Sequence, residues 1–124
     1  MQFNRFWPIY LRAHQRSATR AMHYLATVVG IAGGLAAILS GVFWLFPLGI
    51  GMGYVIAVAS HWIFEGNQPL ILVSPFWGAV ADLRMCYLAL TGRLEAEAAR
   101  QGVPLEQNAG RESIAPTPAP RTPV

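Results

Sequence analysis

The sequence predicts an all-α membrane protein: an antiparallel transmembrane helix hairpin with flanking interfacial or partly inserted helices and a disordered C-terminal tail. Three observations carry this. Hydrophobic residues make up 54% of the 124-residue chain and charged residues only 12%, too few to coat a soluble globule of this size. Between Arg20 and Glu65 there is no Asp, Glu, Lys or Arg. A helix needs about 20 apolar residues to cross a bilayer core, so this stretch holds two. The Pro/Thr-rich end from Ala115 to Val124 has too little apolar surface to order itself.

The elements follow in chain order. Phe3, Phe6, Trp7, Tyr10 and Leu11 recur at helical spacing and predict an amphipathic interfacial helix over 3–13. A break is expected around His14 to Arg16, with Ser17 capping the first span. The spans are expected near 22–46 and 48–64, parted at Phe46-Pro47-Leu48-Gly49, where Pro removes a donor and Gly permits a turn. Gly30 and Gly34 (continued by Ala37 and Gly41) and Gly49 and Gly53 stand at the spacing that brings helix backbones together in lipid. The first apolar run begins too late and runs too long for a cleaved signal peptide. After the polar turn Glu65-Gly66-Asn67-Gln68-Pro69, Ser74 reads as a helix cap and Pro75 as the first helical residue. That helix should run to about Thr91 and end at Gly92. Asp82 and Arg84 at its centre are costly in lipid, which favours a helix at or dipping into the interface over a third span. The expected division is therefore a helical membrane domain over 1–93 and a polar, Pro-rich tail over 94–124.

Charge placement sets the orientation. Arg5, Arg12, Arg16 and Arg20 precede the hairpin, Arg84, Arg93 and Arg100 follow it, and its tip carries no charge, which puts both hairpin ends in the cytoplasm. All nine basic residues are Arg, a usage that hints at a GC-rich bacterial genome and hence a bacterial inner membrane. Trp44 and Phe46 would anchor the far interface, and Trp7, Tyr10, Tyr24 and Trp62 the near one. A net charge of +3 without a basic stripe argues against nucleic acid. Cys86, the single cysteine, excludes an internal disulfide and reads as a small apolar filler.

The candidate chemistry lies in the polar residues near the membrane. Because the hairpin is antiparallel, His23 and His61 share one membrane depth. Glu65 lies one turn beyond His61 on the same face, and Asp82 about two turns into the next helix. With His14, three histidines and two carboxylates gather at one cytoplasmic end, a ligand set suited to non-haem Fe(II). His14 and His23 converge only if the chain breaks between them. Blander readings stand beside this one: histidines as interfacial hydrogen-bonding anchors, Asp82 and Arg84 as an ion pair, Glu65 as a solvated helix end, Asn67 and Pro69 as turn residues. His23 and His61 also suit the axial positions of a haem, and the polar turn suits a non-catalytic membrane adaptor. Spacing alone defines a membrane protein with a candidate metal site.

Phe6-Trp-Pro-Ile-Tyr-Leu-Arg-Ala-His14, Arg20-Ala-Met-His23, Ser60-His61-Trp-Ile-Phe-Glu65-Gly-Asn67-Gln-Pro69, Ser74-Pro75-Phe-Trp77 and Asp82-Leu-Arg-Met85 resemble, in order, one family. It is the small membrane 2-hydroxy fatty acid dioxygenases, known from fungal phytosphingosine breakdown and from bacterial relatives. The resemblance covers roughly residues 3–92. It departs at Thr19, where the family usually has Asn, and at Gly66, where it usually has Lys. It implies an Fe(II)-dependent reaction of O2 with a long-chain 2-hydroxy fatty acid held in membrane lipid, giving the acid one carbon shorter and CO2. It further implies His14, His23 and His61 as iron ligands, joined by Asp82, and Arg20 or Arg84 neutralising the substrate carboxylate. Glu65 and Asn67 would support catalysis by orienting a histidine and closing the turn. A homo-oligomer is left open.

Overall fold

The computed structural model describes residues 1–106; the expected disorder of 107–124 lies outside the described residues. Helix α1 spans Phe3–Arg12, α2 Ser17–Ser40, α3 Leu45–Ser60, α4 Pro75–Leu90 and α5 Leu94–Arg100. No strand occurs among the described residues. A π-helical turn, His61–Glu65, prolongs α3, and a 3-10 turn, Leu70–Leu72, precedes α4. Ser17–Ser40 and Leu45–Glu65 are, by length and composition, two helices able to cross a membrane.

The hairpin turns earlier than Pro47 suggests. Gly41, at φ +72°, takes the left-handed cap after α2 and donates its N–H to the Ala37 carbonyl. Pro47 lies inside the first turn of α3 instead. The first four N–H groups of a helix have no intrahelical acceptor, so proline's missing donor costs nothing there. At the other end of α2, Ser17 is the first helical residue rather than the cap, and Arg16 occupies the cap position. Ser74 holds the cap position of α4 as expected, without a side-chain cap bond, and Gly92 follows its end at φ +70°.

Small residues do bring α2 and α3 together, but the closest pair is Gly33 with Gly49. A Cβ built on Gly33 would stand 2.7 Å from the Gly49 Cα and 2.9 Å from the Leu45 carbonyl oxygen. Gly53 packs likewise on the Ala26 carbonyl, whereas a Cβ on Gly30 would meet nothing within 4 Å. Gly33→Val therefore forces two backbones apart. We expect a loss of about 1–3 kcal/mol, read as a lowered thermal midpoint in detergent; an unchanged midpoint would show that this contact does not hold the pair.

The cluster of buried apolar side chains lies beside the hairpin rather than within it. Phe6, Trp7, Tyr10 and Leu11 of α1 pack with Ala81 and Met85 of α4 and with Leu94, Ala98 and Val103 from the α5 region. Each large side chain buried here contributes about 1.5–3 kcal/mol. Two expectations change accordingly. Trp7 and Tyr10 are core residues, at 1% and 3% exposure, and not interfacial anchors; Trp44 and Trp62 remain exposed. The apolar face of α1 is covered by protein. Residues 94–106, placed by composition in the tail, supply helix α5 and part of this core.

Glu97 ties α5 to that core. Its carboxylate accepts hydrogen bonds from Trp7 Nε1 at 3.0 Å, from Gln101 at 3.2 Å and from Arg100 at 2.6 Å. Burial pushes its pKa up, but these bonds outweigh burial and hold the group below the usual carboxylate range. The ionised form is thus favoured in the folded state, giving stability that is present above the unfolded pKa and lost as pH falls through the folded one. Glu97→Gln should flatten the acid limb of a stability–pH curve below about pH 4.5. An acid limb as steep as the parent's would assign that loss to other carboxylates.

Candidate metal centre

Three elements deliver one histidine each. The chain leaves α1 at Ala13 and re-enters a helix at Ser17, and this break turns His14 toward His23 on the second turn of α2. His61 opens the π-helical turn after α3. Such turns change the direction of side chains within a helix and recur at functional sites. The Gly66 N–H closes this one on the His61 carbonyl at 2.8 Å, using a left-handed φ of +70°.

All three imidazoles are buried, at 1%, 7% and 1% exposure for His14, His23 and His61. Their Nε2 atoms converge: His14 to His23 is 3.2 Å and His23 to His61 is 3.2 Å. The ligand atoms of all three lie within 4.8 Å of one another.

The opposite ring nitrogens fix the tautomers. His14 Nδ1 lies 2.6 Å from the Tyr10 carbonyl oxygen, and His23 Nδ1 lies 2.9 Å from Asp82 Oδ1. Both partners only accept, so each Nδ1 carries the hydrogen. His61 Nδ1 lies 2.8 Å from Asn67 Oδ1, while Asn67 Nδ2 donates to the Ala13 carbonyl at 3.2 Å. The carbonyl orients the amide, and the amide then assigns a hydrogen to His61 Nδ1. Rings so arranged, when neutral, turn three lone pairs toward one point, an arrangement that a cation relieves. Burial, reinforced by the neighbouring His23 and His61, keeps the His14 pKa well below the ordinary histidine range, as a ligand requires.

The structure redistributes the other expected roles. Asp82, expected beside the metal, stands behind His23. Its Oδ1 holds Nδ1 and accepts the Tyr10 hydroxyl at 3.3 Å, and its Oδ2 accepts the Thr27 hydroxyl at 2.8 Å. Its reach ends at the back of the ring, so it is absent from the converging group. Arg20 does not face the cavity as a free carboxylate receptor; its guanidinium donates to the carbonyls of His14, Gln15 and Glu106, pinning the α1–α2 turn. Arg84 lies in the core region, 4.6 Å above the Trp7 ring and 3.4 Å from Glu97. Glu65 accepts the Arg16 N–H and so serves the N-terminus of α2. Asn67 lies on His61 through the Oδ1 contact described above.

Two participants escaped the sequence reading. Tyr10 stacks on His14 with ring centroids 4.0 Å apart, and Thr27 braces Asp82. Both stand four residues from a histidine, a spacing that marks a shared helix face. Burial, then the Asp82 charge, push the Tyr10 phenol well above its usual pKa, so it stays an O–H donor.

A cavity of about 570 Å³ runs from the three histidines between α2, α3 and α4, lined mainly by apolar side chains. The two-axial-ligand haem arrangement finds no support here: His23 and His61 Nε2 share one point with His14, leaving no width for a macrocycle between them.

Buried imidazoles oriented from behind by a carboxylate, an amide and a helix-end carbonyl define, among the described residues, an all-helical protein with a three-histidine site compatible with a metal ion. The family model for 2-hydroxy-palmitic acid dioxygenase Mpo1-like proteins matches residues 1–94, and the chain belongs to that family. No curated protein and no solved structure matches the chain significantly. At the two departures from the family pattern, Thr19 is fully buried with its hydroxyl unpaired, and Gly66 supplies the left-handed cap described above.

Proposed function

We propose that this protein is an integral membrane Fe(II)-dependent dioxygenase that shortens a long-chain 2-hydroxy fatty acid by one carbon. The observation that carries the reading is the convergence of three Nε2 lone pairs at one end of an apolar cavity. Family membership supplies the substrate class. The reaction balances as one 2-hydroxy acid and one O2 giving the acid one carbon shorter, CO2 and H2O.

His14, His23 and His61 would hold the ion, which would supply Lewis-acid and redox chemistry at the polar end of the cavity. Asp82, the Asn67 amide and the Tyr10 carbonyl hold the hydrogens on Nδ1, so every ring presents a lone pair. The apolar walls exclude water from the reacting carbon and from the acyl chain. Both long apolar helices cross the bilayer in this reading, with the histidine end at the cytoplasmic face, where the flanking arginines lie. Support comes from the charge-free run between Arg20 and Glu65 and from the many exposed apolar residues of α2 and α3.

The test is O2 consumption by purified protein loaded anaerobically with Fe(II), on addition of 2-hydroxypalmitate. One O2 consumed per fifteen-carbon acid formed is the expected stoichiometry. Bound iron without uptake on any 2-hydroxy acid would discard the reaction and leave the metal site standing.

A further inference from the structure

The cavity extends well beyond the histidines. Its α2 wall runs from His23 through Thr27 and Gly30 to Gly34, and its α3 wall from His61 through Gly53 to Phe46. Eleven residues of helix separate His23 from Gly34, a depth of about 16 Å at 1.5 Å per residue. That is close to half of a hydrocarbon core about 30 Å thick, the depth filled by the acyl chains of one leaflet. One end of the cavity is thus polar and buried, and the rest is apolar and as deep as one long alkyl chain.

Gly30 stands midway along this wall and differs from the glycines packed at the contact between α2 and α3. Gly33, Gly49 and Gly53 are pressed against a neighbouring backbone, and Gly34 faces the Phe46 ring at 3.5 Å. A Cβ on Gly30 meets nothing within 4 Å although the residue is only partly exposed and lines the cavity. Helix packing therefore does not account for glycine at this position, and the open space beside it belongs to the cavity.

We propose that the cavity is an acyl-chain site and that the missing side chain of Gly30 sets the length of chain it admits, with Phe46 and Gly34 near its far end. This deepens the dioxygenase reading and rests on it for the identity of the head group. A leucine at position 30 would fill the middle of the cavity and keep out the distal methylenes. Each methylene kept out of the cavity loses its contacts with the walls, which lowers retention of the longer acids.

The experiment is chosen to separate this inference from the activity itself. Metal-free protein is held in a bile-salt detergent, which has no acyl tail of its own. It is offered an equimolar mixture of saturated fatty acids of 12 to 20 carbons, and the retained acids are counted by native mass spectrometry. The expected result for Gly30→Leu is a clear shift in the retained mixture from the 18-carbon toward the 12-carbon acid. Gly30→Ala should shift it less. Gly51→Leu is the control, since Gly51 is exposed, also meets nothing within 4 Å and does not line the cavity; its profile should equal the parent's. The loaded enzyme should show the same order of shifts in its products. An unchanged retention profile in folded Gly30→Leu, or an equal shift in Gly51→Leu, overturns the proposal. A shifted retention profile in a protein without O2 uptake upholds the acyl site and rejects the reaction.

Discussion

His61→Ala is expected to reduce both bound iron and substrate-dependent O2 uptake to background. The remaining nitrogens, on His14 and His23, span only one side of the site, and the variant also leaves the Asn67 carbonyl oxygen without its donor. Iron content by metal analysis, measured beside helicity by circular dichroism, separates metal loss from unfolding. A folded variant with the parent's iron content would remove His61 from the metal site and with it the three-histidine reading.

Asp82→Asn is expected to weaken iron binding about 10- to 100-fold without abolishing it, the usual scale for a group that orients a ligand from behind. The carboxylate only accepts, and so keeps the hydrogen on His23 Nδ1. An amide can offer N–H instead, which favours the tautomer whose Nε2 carries the hydrogen and cannot bind a metal. The comparison with His61→Ala is the informative one. A loss as complete as that of His61→Ala would place Asp82 in direct contact with the ion, the role first expected for it from the sequence. Thr27→Val, which removes the hydroxyl on the other carboxylate oxygen, should produce a smaller loss in the same direction.

Much of the fold was legible because its signals are local. The charge-free stretch, the spacing of Phe6, Trp7, Tyr10 and Leu11, and the Ser74-Pro75 start each depend on neighbours a few positions away. The three histidines were legible too, since antiparallel helices must bring His23 and His61 to one depth. The partners across elements were not. Arg20 looked available for a carboxylate because nothing in its neighbourhood announces the Glu106 carbonyl, eighty-six positions on. Arg84 is drawn from the site by Trp7 and Glu97, which lie in other helices. The first turn of α3 accommodates Pro47 because missing donors are harmless there, a positional fact that overrides the residue's reputation as a breaker. Composition placed Leu94 in a tail because Glu and Arg surround it, although Leu94, Ala98 and Val103 provide an apolar edge sufficient for packing on α1 and α4.

The neutral tautomers have an electrostatic consequence for selectivity. Three imidazoles bound to a metal bring no charge, and the Asp82 carboxylate stands behind His23 with one negative charge; Arg20 and Glu65, further out, are of opposite sign. A ferrous ion at the centre would therefore leave about one positive charge without a counterion, in surroundings where isolated charge is costly. A carboxylate head group cancels that charge, whereas an ester, an alcohol or an aldehyde of the same length does not. The centre would thus discriminate for free acids by charge neutrality, with no arginine needed at the substrate.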